Sequence, residues 1–273
     1  MTLSVRDLVE KNSKNYPDKT WLFSPATGKE ITWKSAFLIA QNIAENLTLL
    51  GLKKGDPVGI AAHNSVGCCL AFLGITYGGF LATPLNLVSG HKAIEYVIMH
   101  SKLKLIILSE TSKNLIGEAL KISDTPIKIL HLDPERGPLF LNLAGRKVET
   151  PHLNNIQESD PGLLMYTSGT TGKPKGVILS HLNLISSGQN VVNAHGISHH
   201  DRAMCILPIY HINGLCVTVM GTIVSASGLV MPYKFSLSGF WTEVYKFECS
   251  WFSAVPTHFS YFINDEKNIK IDL

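Results

Sequence analysis

Two periodicities take turns along the first 160 residues, and this alternation constrains the fold more than any other feature of the chain. Ala36, Ala40, Ile43, Leu47 and Leu50 recur at helical spacing behind Thr32, which suits an N-cap, and ahead of Gly51, which suits a C′ stop. A Lys53-Lys54-Gly55-Asp56 turn follows, then a strand-like apolar run over 58–62 and a helix-like run over 66–77. Gly78-Gly79 leads into residues 80–84. Beyond it the spacing predicts a helix around 93–100, a strand over 105–108, a helix near 115–122 and a strand over 127–131. Strands alternating with helices of ~10–15 residues predict an α/β fold of mostly parallel sheets flanked by helices.

From Asp133 to Asp160 the pattern gives way to PERGP and ETPHLNNIQESDP, the composition of a surface connection. The expected division is a first α/β lobe over 1–160 and the start of a second over 161–273. The second lobe opens with a strand over 162–166, a polar loop and a strand over 177–179. A helix from His181 to about Ala194 should follow, capped by Ser180, and then a strand over 203–207.

At 273 residues such a chain should bury ~75% of its unfolded surface. With 45% hydrophobic and 16% charged residues it is not a disordered polymer. The net charge of +3 is small, and Lys53, Lys54, Lys102, Lys104, Lys173 and Lys175 are scattered, so nucleic acid is not an expected partner. Cys68, Cys69, Cys205, Cys216 and Cys249 are odd in number and form no CxxC, which fits buried reduced thiols of a cytoplasmic protein. The polar N-terminus lacks the apolar core of a signal peptide.

Residues 58–91 and 212–231 carry no Asp, Glu, Lys or Arg, and both exceed the ~20 residues that span a bilayer. Asn64, Pro84 and Asn86 interrupt the first run, and Asn213, Thr218 and Ser225 the second. Both read as buried elements of a parallel α/β core. Any membrane contact is then peripheral. His195, His199, His200 and Asp201 read as a solvated helix-to-strand connection rather than a metal site.

The polar loop lies in Tyr166-Thr-Ser-Gly-Thr-Thr-Gly-Lys-Pro-Lys-Gly-Val177. Apolar strands on both sides argue against a linker. Gly169, Gly172 and Gly176 let successive N–H groups face one concavity, an anion-binding nest. Thr167, Ser168, Thr170 and Thr171 add hydroxyls, Lys173 and Lys175 add charge, and Pro174 keeps the loop from coiling into a helix. These are the parts that hold a polyphosphate. They do not form the common P-loop: with Gly172-Lys173 as its GK, Thr167 replaces the first glycine and Pro174 replaces the metal-binding Ser/Thr. No GxGxxG occurs in the stretch either.

This twelve-residue run resembles the signature of the adenylate-forming, AMP-binding superfamily of acyl-CoA synthetases, aryl-CoA ligases, luciferases and peptide-synthetase adenylation domains. Leu207-Pro-Ile-Tyr-His-Ile-Asn-Gly-Leu215 is similar to that family's Pro-x-x-His-x-x-Gly segment. Ser180-His-x-Asn-Leu184, Ala254-Val-Pro-Thr257 and the Gly74–Gly79 and Pro84-Leu-Asn86 runs are similar to family patterns as well. The resemblance covers essentially the whole chain. It implies a layered αβαβα N-terminal domain and the activation of a carboxylic acid, a fatty acid by expectation. ATP and Mg²⁺ would form an acyl-adenylate, and coenzyme A would accept the acyl group.

By position, Thr167 would be the hydroxyl associated with Mg²⁺. Ser168, Gly169, Thr170, Thr171, Gly172, Lys173, Lys175 and Gly176 would surround the phosphates. His211 would stand at the mouth of the acyl pocket as the catalytic residue, orienting the carboxylate or contacting the α-phosphate. Family members continue into an aromatic-Gly-x-Thr-Glu segment, a ribose-binding Asp and a C-terminal domain with a catalytic Lys, none of which occurs in these 273 residues. The expectation is therefore an N-terminal portion with little or no catalysis alone. The alternatives are a non-catalytic nucleotide- or acyl-binding module and a structural protein on the same scaffold.

Overall fold

In a computed structural model, which describes residues 3–121, 126–140, 151–167 and 174–264, the alternation resolves into defined elements. Helix α1 (Val5–Asn15) precedes the antiparallel pair β1 (Thr20–Phe23) and β2 (Glu30–Thr32). Then come α2 (Trp33–Leu49), β3 (Pro57–Ala61), α3 (Val66–Tyr77), β4 (Leu81–Pro84), α4 (His91–Ser101), β5 (Leu105–Ser109) and α5 (Lys113–Leu120). Next are β6 (Lys128–Asp133), β7 (Gly137–Leu139), the hairpin β8 (Pro161–Thr167) and β9 (Lys175–Ser180), α6 (His181–His195) and β10 (Arg202–Met204). A π-helical turn over Asn213–Val219 runs into α7 (Met220–Ser225), and β11 (Gly228–Val230), α8 (Leu237–Lys246), β12 (Trp251–Phe252) and α9 (Pro256–Asn264) complete the described chain.

Helix ends form where the sequence supplies caps. The Thr32 hydroxyl accepts from the Ser35 amide at 3.2 Å to open α2, and Gly51 follows its end at φ +86°. Ser180 and Asn183 make a reciprocal capping box at the start of α6.

The strands form two sheets among the described residues. One has the order β7-β6-β5-β3-β4-β8-β9, parallel except where β6 meets β7 and β8 meets β9. The other has the order β12-β10-β11-β1-β2, parallel except for β1 with β2. Both sheets draw strands from either side of residue 160: β1 and β2 join β10–β12, whereas β8 and β9 extend the sheet begun by β3.

Side-chain alternation on the strands assigns the layers. Val58, Ile60, Leu105 and Ile107 face a central core shared with Leu22, Ala203 and Leu229 of the second sheet and with α1, α2, α3, α6 and α7. Ala61, Ile106 and Leu108, one residue out of phase, face outward onto α4 and α5. Phe23, Met204 and Val230 face outward from the second sheet onto Phe240 of α8 and Phe262 of α9. The result is the five-layered αβαβα arrangement. Because it lies between two sheets, α3 buries all 12 of its residues, which explains a helix with no polar face. The uncharged run over 58–91 thus contains β3, α3 and β4, and that over 212–231 contains the π-helical turn, α7 and β11. Among the described residues no helix is long and apolar enough to cross a membrane.

Candidate functional site

Strand β8 ends at Thr167 and β9 begins at Lys175, with these two residues paired in antiparallel register. The polar loop therefore closes a hairpin, unlike a P-loop, which opens a helix. Ser168, Gly169, Thr170, Thr171, Gly172 and Lys173 lie outside the described residues. The hairpin stem positions the remaining members. Thr167 and Pro174 line a cleft of about 380 Å³ together with Pro84, Asn86, Ile94 and Tyr210. Lys175 is exposed at the foot of β9. Gly176 lies opposite Tyr166, and a Cβ there would stand 3.2 Å from the Tyr166 ring, so glycine lets that ring pack across the strand pair.

Tyr166 forms one wall of the cleft. Its hydroxyl is 2.7 Å from His100 Nδ1, and the His100 ring stacks on Tyr96 at 5.2 Å. Burial pushes the Tyr166 phenol up to about 12, so it stays protonated at neutral pH.

Tyr210 comes to the cleft from the segment between β10 and the π-helical turn. The sequence suggests a strand through 207, but β10 stops at Met204. Beyond it the backbone is held by Asn64 from the end of β3. Asn64 Nδ2 donates to the Leu207 carbonyl at 2.9 Å, and the Ile209 amide donates to Asn64 Oδ1 at 3.0 Å. Asn64 is 8% exposed, so these bonds are sheltered from water. The Cys205 thiol also donates to the Leu207 carbonyl, at 3.3 Å. The segment then folds back on itself: the His211 amide reaches the Pro208 carbonyl at 3.0 Å, and a Cβ on Gly214 would lie 2.4 Å from that carbonyl. Gly214→Ala should accordingly displace the loop and lower unfolding free energy by about 1–3 kcal/mol, read from urea denaturation; an unchanged midpoint contradicts the close approach.

His211 is exposed, with its ring edge-on to Tyr210 at 4.8 Å. Desolvation by its surroundings lowers its pKa, favouring a neutral imidazole. Tyr210, rather than His211, lines the cleft with Thr167 and Pro174. The cleft wall thus includes Tyr166, which opens the quoted loop run, Tyr210 from the Leu207–Leu215 segment and Asn86, which ends another quoted run, together with Ile94, to which none of the motifs pointed. Asn64 has no sequence signal, because its partners lie 143 and 145 residues away.

The connection between α6 and β10 is tied down by local contacts. Asp201 accepts from the Ser198 amide at 2.7 Å and the Ser250 hydroxyl at 2.8 Å, and His199 stacks on Tyr16 at 5.0 Å. No cluster of three His, Cys, Asp or Glu able to hold a metal occurs among the described residues. All five cysteines are unpaired. Cys68, Cys69, Cys205 and Cys216 are buried, and desolvation pushes the Cys205 and Cys216 thiols up to about 12.

Comparison with known proteins gives these features a family. The chain is 34% identical over 258 residues to a sulfoacetate–CoA ligase of Cupriavidus necator, a match covering 94% of this chain and 50% of that protein. It is 29% identical over 259 residues to an oxalate–CoA ligase of Arabidopsis thaliana, covering 92% and 49% respectively. The chain thus spans about half the length of the curated relatives it matches. Among solved structures, the inhibitor-bound N-terminal domain of FACL13 from Mycobacterium tuberculosis superposes with a TM-score of 0.86 at 24% identity, covering 100% of this chain and 67% of that one. ATP-bound MatB from Rhodopseudomonas palustris superposes with a TM-score of 0.81 at 23% identity, covering 97% and 52%. At these identities the superpositions speak for the fold alone, the α/β arrangement of the N-terminal domain of adenylate-forming enzymes. The family assignment rests on sequence: residues 9–272 match the family described as AMP-binding enzyme, and the chain belongs to it.

Proposed function

We propose that this chain supplies the nucleotide-gripping half of an ATP-dependent, AMP-forming acid–thiol ligase, which activates a fatty acid as its acyl-adenylate and transfers it to coenzyme A. The observation that carries this reading is the β8–β9 hairpin, where Thr167 and Pro174 open on one cleft that Tyr210 also lines. A carboxylate attacking the α-phosphate expels pyrophosphate, so charge grows on the β- and γ-phosphates. Donors and cations fixed beforehand around that charge favour the transition state. Lys175 and the loop residues Ser168, Gly169, Thr170, Thr171, Gly172, Lys173 and Gly176 serve as that grip.

The Thr167 hydroxyl is a hard oxygen donor, and Mg²⁺ commonly takes one or two protein oxygens beside phosphate oxygens and water. Thr167 therefore fits as the residue that would hold the ion, which would neutralise charge on the departing phosphates. His211, neutral and open to solvent next to the cleft wall, orients the acid's carboxylate. Leu85, Ile94 and Val97 give the cleft an apolar side that suits an alkyl chain. The unpaired cysteines support a reducing, cytoplasmic setting.

Calorimetric titration with ATP and Mg²⁺ tests the grip on the chain as it stands. Saturable binding is expected, weakened about tenfold by Lys175→Ala. Equal affinity in the variant, or no binding at all, removes the nucleotide role and leaves a structural scaffold. Octanoate should then compete with sulfoacetate for the same cleft. Preference for sulfoacetate would replace the fatty acid with a short doubly charged acid, as the name of the 34%-identical relative suggests.

A further inference from the structure

A second cleft, of about 440 Å³, opens where residues 62–65 leave β3 and residues 109–111 leave β5. The two strands are paired side by side, Ile60 with Ile107 and Ala61 with Leu108. Their continuations part at once. From β3 the chain passes through α3 to β4 on one side, and from β5 it passes through α5 to β6 on the other. Such a topological switch point leaves a crevice outside the carboxyl ends of the strands, the place where open α/β sheets bind ligands. The cleft beside Thr167 lies past β4 and β8, so the β3/β5 crevice has no part in the function proposed above.

The crevice has braced walls. The Ser112 hydroxyl donates to the Ala61 carbonyl and ties the exit of β5 to that of β3. Tyr233, from beyond β11, donates its hydroxyl to Glu135 Oε1 at 2.6 Å and closes a third side. Most of the polar lining is engaged: Asn64 clamps the Leu207–Ile209 backbone, Ser65 caps α3, and Glu110 pairs with Lys113 at 3.1 Å. The remaining surface is the His63 side chain and an apolar face of Ala62, Leu132, Pro134 and the Tyr233 ring. At its mouth stands the Lys234 ammonium, which has no hydrogen-bond or ion-pair partner among the described residues. An unpaired cation beside an apolar crevice of this size selects an anion with a flat apolar body.

We propose that this crevice is a second small-molecule site, taking an aromatic carboxylate whose ring lies against Leu132, Pro134 and Tyr233 and whose carboxylate meets Lys234. Binding there bears on Asn64, and through it on the Leu207–Ile209 segment of the candidate active cleft.

Naphthalene-2-carboxylate is the probe, titrated into the ¹⁵N-labelled chain with amide shifts followed residue by residue. Saturable shifts are expected at His63, Ser65, Glu110 and Lys234, and at Ile209, whose amide donates to Asn64. Lys234→Glu should weaken the affinity about tenfold, and Thr111→Trp, which fills the crevice from an exposed position, should abolish it. Saturable shifts confined to Tyr166, Thr167 and Tyr210, or affinities unchanged in both variants, overturn the proposal. The readout involves neither nucleotide nor turnover, so it stands or falls separately from the ligase reading.

Discussion

Between pH 6.5 and pH 4 the chain should lose on the order of 3 kcal/mol of unfolding free energy through one side chain, His181. His181 is 0% exposed at the first position of α6, and burial lowers its pKa to about 4. Its Nδ1 accepts from the Val5 amide at 3.2 Å, so the neutral ring carries its proton on Nε2, a buried atom with no partner among the described residues. Asp160 and Asp7 favour the charged ring, Arg6 and Lys54 oppose it, and desolvation outweighs them all.

The sign of the effect follows from linkage. Above pH 6.5 the ring is neutral whether the chain is folded or not, and pH has no effect through it. From pH 6.5 down to 4 the unfolded chain takes up a proton that the native state refuses, so stability falls by up to about 1.4 kcal/mol per pH unit. Below pH 4 the native ring is protonated too, and the loss levels off. The carboxylates of Asp160 and Asp201 act in a lower window. Desolvation of each is outweighed by hydrogen bonds that hold its pKa below the ordinary value, so their contribution disappears only as pH falls below about 4. Urea unfolding at pH 7.5, 5.5 and 4.5 checks the slope, and His181→Asn isolates it, because asparagine keeps an acceptor for the Val5 amide without titrating. A variant with the same acid slope as the unmodified chain would mean that His181 is not the group responsible.

Asn64→Leu should cost about 2–4 kcal/mol, although leucine has the same number of side-chain heavy atoms, branched at the same carbon, as asparagine. The change leaves the Ile209 amide without an acceptor and the Leu207 carbonyl with only the weak thiol of Cys205. Both groups sit where water enters poorly, so their desolvation is no longer offset. Asn64→Asp should be as damaging: it can still accept from Ile209, but it sets a carboxylate against the Leu207 carbonyl. Urea denaturation gives the magnitude, and amide hydrogen exchange gives the location, with protection at Ile209 lost ahead of the sheet. A Leu variant within about 0.5 kcal/mol of the unmodified chain would show that the clamp does not hold the loop.

These expected results mark where sequence reading stops. Thr32, Gly51 and Ser180 could be read in advance because capping and helix termination act within four residues. The helix over 66–77 and the strands over 58–62 and 105–108 were legible for a similar reason: apolar spacing matches the period of the element that buries it. Its alternation even encodes the layers, since Ile106 and Ile107 face opposite helices. The partner strand is another matter. Nothing near Thr20 announces that β1 will pair with β11, with Leu22 beside Leu229, because a strand's hydrogen-bonding edges are alike in every sequence.

The same distinction runs through the candidate site. The chain's own sequence determined the run from Tyr166 to Val177, with its glycines, hydroxyls and lysines, and with it the family and the chemistry proposed. The tertiary structure alone decided that this run closes a hairpin, that Tyr210 rather than His211 lines its cleft, and that Asn64 holds the Leu207–Ile209 backbone leading to Tyr210. It also opened the crevice between β3 and β5. Backbone torsions and caps are settled by neighbours along the chain, whereas a cleft is settled by which surfaces remain uncovered once distant segments have packed.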